Sequence, residues 1–121
     1  IWRAPTDNDI QIQQGWRTAK YDTAYPKVYH THVQQQEDHV IITFDMSMVE
    51  DSRPRLVEGI VTWTISEDGT IHVAHQLKKD VRMPSLPRLG VTFGLPDRFQ
   101  ALTYYGQGPY ESYQDKQEAS Y

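Results

Sequence analysis

A hairpin pattern occupies the middle of the chain, at Val61-Thr62-Trp63-Thr64-Ile65-Ser66-Glu67-Asp68-Gly69-Thr70-Ile71-His72-Val73. On both sides of its polar centre, apolar residues alternate with polar ones, which is the period of a strand with one solvated face. Asp68-Gly69 supplies the positive φ that a tight turn requires. The stretch therefore predicts two antiparallel strands joined by a short turn.

The same period of two continues in both directions from this hairpin. Polar breaks at 34–38 and at Glu50–Pro54 separate the strands on the amino-terminal side, and a rigid loop bracketed by Pro84 and Pro87 follows on the carboxyl side. Short strands at this spacing favour an all-β fold, an antiparallel β-sandwich. The further predicted strands are Lys27–Val33, Val40–Val49, Leu89–Leu95 and Phe99–Tyr105.

One segment departs from the strand pattern. Ile12, Trp16 and Ala19 lie near helical spacing, although Gly15 weakens a helix. We expect at most one short helix near 14–20, with Trp16 on its buried face.

Composition limits the classes of function. The chain has 121 residues, 38% hydrophobic and 12% aromatic, a formal charge of −4 and no cysteine. The acidic balance without a basic run argues against nucleic acid and anionic membranes as partners. The absence of cysteine excludes disulfides and fits a cytoplasmic protein. Because the chain starts on Ile1-Trp2 without an initiator Met, we expect it to be part of a longer protein.

The first ten residues, Ile1–Ile10, are difficult to explain as ordinary folding material. They place Trp2 and Arg3 close to Asp7-Asn8-Asp9, with Pro5 stiffening the backbone between them. Carboxylate and carboxamide oxygens could ligate a hard cation. The interpretation that we favour is a turn capped by Thr6 or Asp7, with Arg3 paired to an acid. A share in a binding site or a domain interface is the other alternative.

Other candidate chemistry is weak. His30 and His32 share one strand face, and His72 could approach from a neighbouring strand, but no acid or cysteine stands at zinc-ligand spacing, so we predict no metal site. The pairs Glu111 with Asp115 and Glu50 with Asp51 have nothing that fixes the carboxylate separation a glycosidase needs. We expect Glu111 and Asp115 to accept hydrogen bonds within a glycine-rich turn, underlain by Tyr110 and Tyr113.

Two motifs carry a resemblance to a known family. Trp2–Asp9 (WRAPTDND) and Gly106–Asp115 (GQGPYESYQD) resemble, in order and about a hundred residues apart, the small-chain domain of the bacterial β-galactosidases of glycoside hydrolase family two. Gln11 and Lys116 depart from the common pattern, where Gly and Arg are usual. The resemblance implies that residues 1–121 are the N-terminal portion of that domain, a partial galactose mutarotase-like supersandwich.

The resemblance also implies a division of labour. The parent would hydrolyse terminal β-D-galactosides of the lactose type by a retaining mechanism, with both catalytic glutamates on a separate (β/α)8 barrel. No catalytic residue is therefore expected in this chain, and Mg²⁺ and Na⁺ would bind mainly on other domains. The chain would form scaffold, domain interface and a wall of the carbohydrate pocket. The pocket or interface candidates are Trp2, Arg3, Asp7, Asn8, Asp9, Tyr110, Glu111, Tyr113 and Asp115.

The partners implied are the other domains or the large subunit of the parent, with a galactoside as the parent's substrate. The low apolar content predicts an exposed apolar face, which would favour a homo-oligomer. The alternative functions are a stand-alone carbohydrate-binding module, in which tyrosines such as Tyr104 and Tyr105 stack on sugar rings, and an assembly module without hydrolase activity.

Overall fold

The computed structural model describes residues 1–106, apart from the side chains of Arg53 and Pro54. Two compact units divide the chain, residues 1–90 and residues 91–121. Within the described residues, all the helices and strands belong to the first unit. They are the 3-10 turn Asp7–Asp9, helix α1 (Gln13–Thr18), and strands β1 (Tyr25–Gln35), β2 (His39–Glu50), β3 (Arg53–Ser66) and β4 (Ile71–Lys79).

The four strands form one antiparallel sheet in the order β1-β2-β3-β4. Each strand pairs with the next strand along the chain, so the sheet is a meander. The all-β class and the single short helix predicted from the sequence are confirmed. Residues 1–106 contain this one sheet, so the second layer of the predicted antiparallel sandwich stays a prediction.

The hairpin at the centre of the sequence forms as its pattern predicts. β3 and β4 pair from Ile65 opposite Ile71 to Val57 opposite Lys79. Gly69 adopts a φ of 85° in the connecting turn, and the Asp68 carboxylate accepts a hydrogen bond from the Thr70 N–H at 2.8 Å. A residue other than Gly, Asn or Asp would be strained at this φ.

The register gives the sheet one apolar face. On β2 this face carries Val40, Ile42, Phe44, Met46 and Met48, and β3 places Ile65, Trp63, Val61, Gly59 and Val57 directly opposite them. Gly59 is required here because a Cβ at this position would collide with the backbone carbonyl of Gln76 on β4. The missing side chain lets β3 and β4 approach closely in mid-sheet.

The hydrophobic core of the first unit lies where the amino-terminal segment meets one end of the sheet. Trp16, Ala19, Tyr21 and Leu56 are its buried members, and Met83 and Leu86 from the loop after β4 pack against them. Helix α1 contributes Trp16, as the helical spacing predicts, and the chain leaves the helix through Lys20, which adopts a left-handed φ of 61°. Burying Leu56 completely stabilises the fold by about 1.5–3 kcal/mol.

Three sequence predictions about the strands are wrong. The break predicted at Glu50–Pro54 is only the turn at Asp51-Ser52, because β3 already begins at Arg53. Leu89–Leu95 and Phe99–Tyr105 are not strands. Alternation alone cannot make a strand, since its backbone N–H and C=O groups need a neighbouring strand, and no segment within residues 1–106 pairs with either stretch.

No helix among the described residues combines the length and the apolar character needed to cross a membrane.

Candidate functional site: the amino-terminal motif

The Arg3 guanidinium and the Asp9 carboxylate form a two-pronged ion pair at the centre of the motif. Arg3 Nη1 lies 2.5 Å from Asp9 Oδ2, and Arg3 Nη2 donates to Asp9 Oδ1 at 2.9 Å. The Asp9 side chain is 7% exposed and that of Arg3 is 34% exposed. The predicted pairing of Arg3 with an acid is confirmed, and the acid is Asp9.

The 3-10 turn Asp7–Asp9 brings Asp9 back to its own beginning. Thr6 occupies the N-cap, and its backbone N–H donates to Asp9 Oδ2 at 2.7 Å while its hydroxyl donates to the same oxygen at 2.9 Å. This reciprocal arrangement is a capping box, in which an acid three residues after the cap satisfies the cap's N–H. The prediction that Thr6 caps a turn is confirmed.

These hydrogen bonds fix the charge of Asp9. The Arg3 guanidinium, followed by the Thr6 N–H, holds the pKa of Asp9 well below its usual value. Asp9 is therefore ionised at neutral pH and cannot serve as a proton donor. Its role is to lock the turn.

Arg3 also ties the motif to the rest of the first unit. Its Nε donates to the Pro87 carbonyl at 3.0 Å, across 84 residues of sequence. Its Cζ lies 5.1 Å from the ring centre of Trp16, a cation–π contact with the core. One side chain thus joins the amino terminus, helix α1 and the loop after β4.

The remaining residues of the motif separate into an inner and an outer set. Trp2 is half-buried and packs against the core. Asp7 and Asn8 are exposed, and they are the polar groups that the motif offers to solvent or to a neighbour. No set of three or more His, Cys, Asp or Glu side chains able to hold a metal ion occurs within residues 1–106.

Apart from Gly106, the second motif lies outside the described residues, and with it the candidates Tyr110, Glu111, Tyr113 and Asp115. Its expected role therefore stays a prediction. Tyr104 and Tyr105, which precede it, are both strongly exposed.

Glu50 and Asp51 are held by turn contacts. The Glu50 carboxylate accepts hydrogen bonds from the Ser52 hydroxyl at 2.6 Å and from its N–H at 2.9 Å, which lower the pKa of Glu50. Asp51 accepts a hydrogen bond from the Tyr25 hydroxyl at 2.6 Å. These contacts belong to the turn between β2 and β3, consistent with a structural role for both acids.

The histidines do not converge. His30 and His32 lie on β1 and His72 lies on β4, at opposite edges of the sheet, with β2 and β3 between them. The approach of His72 from a neighbouring strand, which the sequence left open, does not occur, because the sheet order separates β1 from β4.

The sequence analysis missed a cluster of charged residues at the far end of the β3–β4 hairpin. Arg55 and Glu58 of β3, together with residues 78–82, line a pocket of about 400 Å³. Residues 78–82 form a charged run in the sequence, but Arg55 and Glu58 lie 20 or more positions earlier. Only the pairing of β3 with β4 brings them together.

The fold and the motif define an all-β module whose amino-terminal acid is committed to its own turn. The family model of the β-galactosidase small chain matches residues 1–121, so the chain belongs to that family. It is 40% identical over 121 residues to a β-galactosidase of Staphylococcus xylosus and 39% identical over 116 residues to one of Actinobacillus pleuropneumoniae. A β-galactosidase of Priestia megaterium is 35% identical over 121 aligned positions.

These alignments cover between 96% and all of the present chain. They cover 11–12% of each relative, so the chain spans about one eighth of the length of the proteins that it matches.

Proposed function

We propose that the chain is a non-catalytic module of a β-galactosidase that hydrolyses terminal β-D-galactosides of the lactose type. The names of its relatives and the small share of their length that it covers support this proposal. In the proposal, hydrolysis follows a retaining mechanism with two glutamates on a separate barrel domain. The module contributes scaffold, domain interface and part of the wall of the carbohydrate pocket.

The observation that carries the proposal is the closed Arg3–Asp9 pair. A retaining glycosidase needs two carboxyl groups about 5–5.5 Å apart, one of which is kept protonated at working pH. Asp9 has the opposite property, because its hydrogen bonds with Arg3 lower its pKa and keep the carboxylate ionised. Asp38, Glu50, Asp68 and Asp80 likewise have lowered pKa values, each through hydrogen bonds to a neighbouring residue.

Asp7 and Asn8 are the residues of the motif that we assign to the interface with the rest of the parent. Both are exposed, and the Arg3–Asp9 pair holds the turn that presents them. Trp2 and Arg3 support this turn from inside. The proposal places the Mg²⁺ and Na⁺ of the parent mainly on its other domains and the parent in the cytoplasm, for which the absence of cysteine is the support.

The test is an assay of a chromogenic β-galactoside with this chain and, in parallel, with the full parent polypeptide. We expect turnover by the parent and none by the chain, with a dispersed NMR spectrum showing that the chain is folded. Turnover by the purified chain would overturn the proposal. So would full activity of a parent from which residues 1–121 have been deleted.

The exposure of Tyr104 and Tyr105 favours a second candidate, a sugar-binding module. Aromatic rings can pack against the apolar face of a pyranose. Saturable shift changes at Tyr104, Tyr105 and Tyr110 on titration with galactose would favour this function. Their absence, with an inactive chain and an active parent, would favour the scaffold and interface role.

A further inference from the structure

The pocket beside the β3–β4 hairpin concentrates positive charge on an acidic chain. Four cations, Arg55, Lys78, Lys79 and Arg82, line it with the two acids Glu58 and Asp80. This is a formal excess of +2 in a chain whose total formal charge is −4. We call this cluster the basic pocket.

Part of the basic pocket is rigidly built. Lys79 Nζ donates to the carbonyls of Asp80 and Met83 at 2.8 and 2.7 Å. Arg82 holds the Asp80 carboxylate through Nη2 at 2.7 Å and Nε at 3.0 Å, and the pKa of Asp80 falls to about 2. Arg82 therefore offsets the charge of Asp80, whereas the Lys79 ammonium is hydrogen-bonded to two carbonyls, which carry no formal charge.

Arg55, which lines the basic pocket, is contacted by Tyr29 at an irregularity in β1. The β1–β2 register shifts between Val28 and His30, so Tyr29 has no partner on β2, and it is the least exposed residue of β1. A bulge of this kind redirects a side chain. Tyr29 reaches across β2 to Arg55, whose Cζ lies 4.4 Å from its ring centre.

Glu58 is the acid beside Arg55 and Lys78 in the basic pocket, and it is loosely held. Its carboxylate lies 3.5 Å from Arg55 Nη1, with both side chains about half exposed. Lys78 stands directly opposite Glu58 in the β3–β4 register and is exposed. One loosely held carboxylate thus faces two cations, Arg55 and Lys78.

We propose that the basic pocket docks an acidic peptide segment, with one carboxylate between Arg55 and Lys78 and a second beside Lys79. The positive charges are spread along two strands and a turn, and Lys79 and Arg82 are already directed at their own partners. This arrangement suits carboxylates spaced along a chain better than one small anion, which needs donors that converge on a point. The volume of about 400 Å³ accommodates several side-chain groups.

The test is a titration of the ¹⁵N-labelled chain with a capped hexaglutamate peptide, followed by NMR. We expect saturable shift changes at residues 55–58 and 78–82. Lys78→Gln should weaken binding about tenfold, since a charge-assisted hydrogen bond is lost. Tyr29→Leu, which removes the support of Arg55, should weaken it less. Arg17→Gln makes the same charge change on the exposed face of α1 and should bind as the original chain does.

Three results would overturn the proposal. The first is the absence of saturable binding by a chain whose spectrum shows it to be folded. The second is an equal loss in Arg17→Gln and Lys78→Gln, which would mean unspecific attraction. The third is equally tight binding of inorganic phosphate, or of a single-stranded oligonucleotide of equal charge, which would identify a different ligand.

Discussion

The hydroxyl of Tyr21 donates a hydrogen bond to the backbone carbonyl of Pro84 at 2.6 Å, joining two residues that are 63 positions apart. Tyr21 is completely buried, and burial raises the pKa of its hydroxyl. The bond fastens the segment after α1 to the loop after β4. It is one of the few polar contacts in the core of the first unit.

Tyr21→Phe should lower the free energy of unfolding by about 1 kcal/mol, because the Pro84 carbonyl loses its partner while the ring still fills its place. Urea denaturation followed by tryptophan fluorescence measures the change. Tyr25→Phe is the matched control, since the Tyr25 hydroxyl makes an exposed bond to Asp51. It should change the stability by less than about 0.5 kcal/mol. An equal effect of both changes would contradict the assigned role of the Tyr21–Pro84 bond.

Asp9→Asn should lower the free energy of unfolding at neutral pH, and this loss should become smaller in acid. The pKa of Asp9 is lowered on folding from its usual 3.8, so the stability from its ionised form is complete above that value. The contribution declines as the pH falls through 3.8 towards the lower pKa of the folded protein. The difference in unfolding free energy between original and variant should therefore narrow between about pH 5 and pH 2.

Urea titrations at several pH values measure this difference. Asp7→Asn makes the same charge change at an exposed neighbour in the motif and serves as the control. For each variant, the difference in unfolding free energy from the original chain is followed against pH. If both differences shrink equally in acid, the effect comes from net charge and not from the Arg3–Asp9 pair.

Asparagine should distinguish the two glycines of the β3–β4 hairpin. Gly69 has a φ of 85° and open space around it, and Asn accepts this conformation, so Gly69→Asn should cost less than about 1 kcal/mol. Gly59→Asn forces a Cβ against the Gln76 carbonyl and should cost about 1–3 kcal/mol or prevent folding. Thermal unfolding followed by circular dichroism measures both. A Gly59→Asn protein as stable as the original would show that β3 and β4 separate easily.

The strands and the helix were predictable because their information is local. Alternation located β1 to β4, Asp68-Gly69 located the turn, and the spacing around Trp16 located α1. The same reasoning failed at Leu89–Leu95, where the alternation is equally clear. A strand forms there only if another strand pairs with it, and a local sequence pattern carries no information about such a partner.

The candidate site was predictable only in part. The crowding of Arg3, Thr6 and Asp9 within seven residues indicated a capped turn with an ion pair. The contacts of Arg3 with Pro87 and Trp16 were not predictable, because they depend on how distant segments pack. The basic pocket was not predicted for the same reason, since Arg55 and Lys79 come together only through strand pairing.

The meander order of the sheet has a consequence for synthesis on the ribosome. Each strand can add to the one made just before it, so the sheet can grow as the chain emerges. Within this stretch residues 1–24 are made before the sheet, yet Arg3 and Tyr21 find their partners only at Pro87 and Pro84. Residues 1–24 are therefore expected to wait, exposed to proteases and chaperones, until Pro84 and Pro87 have left the exit tunnel.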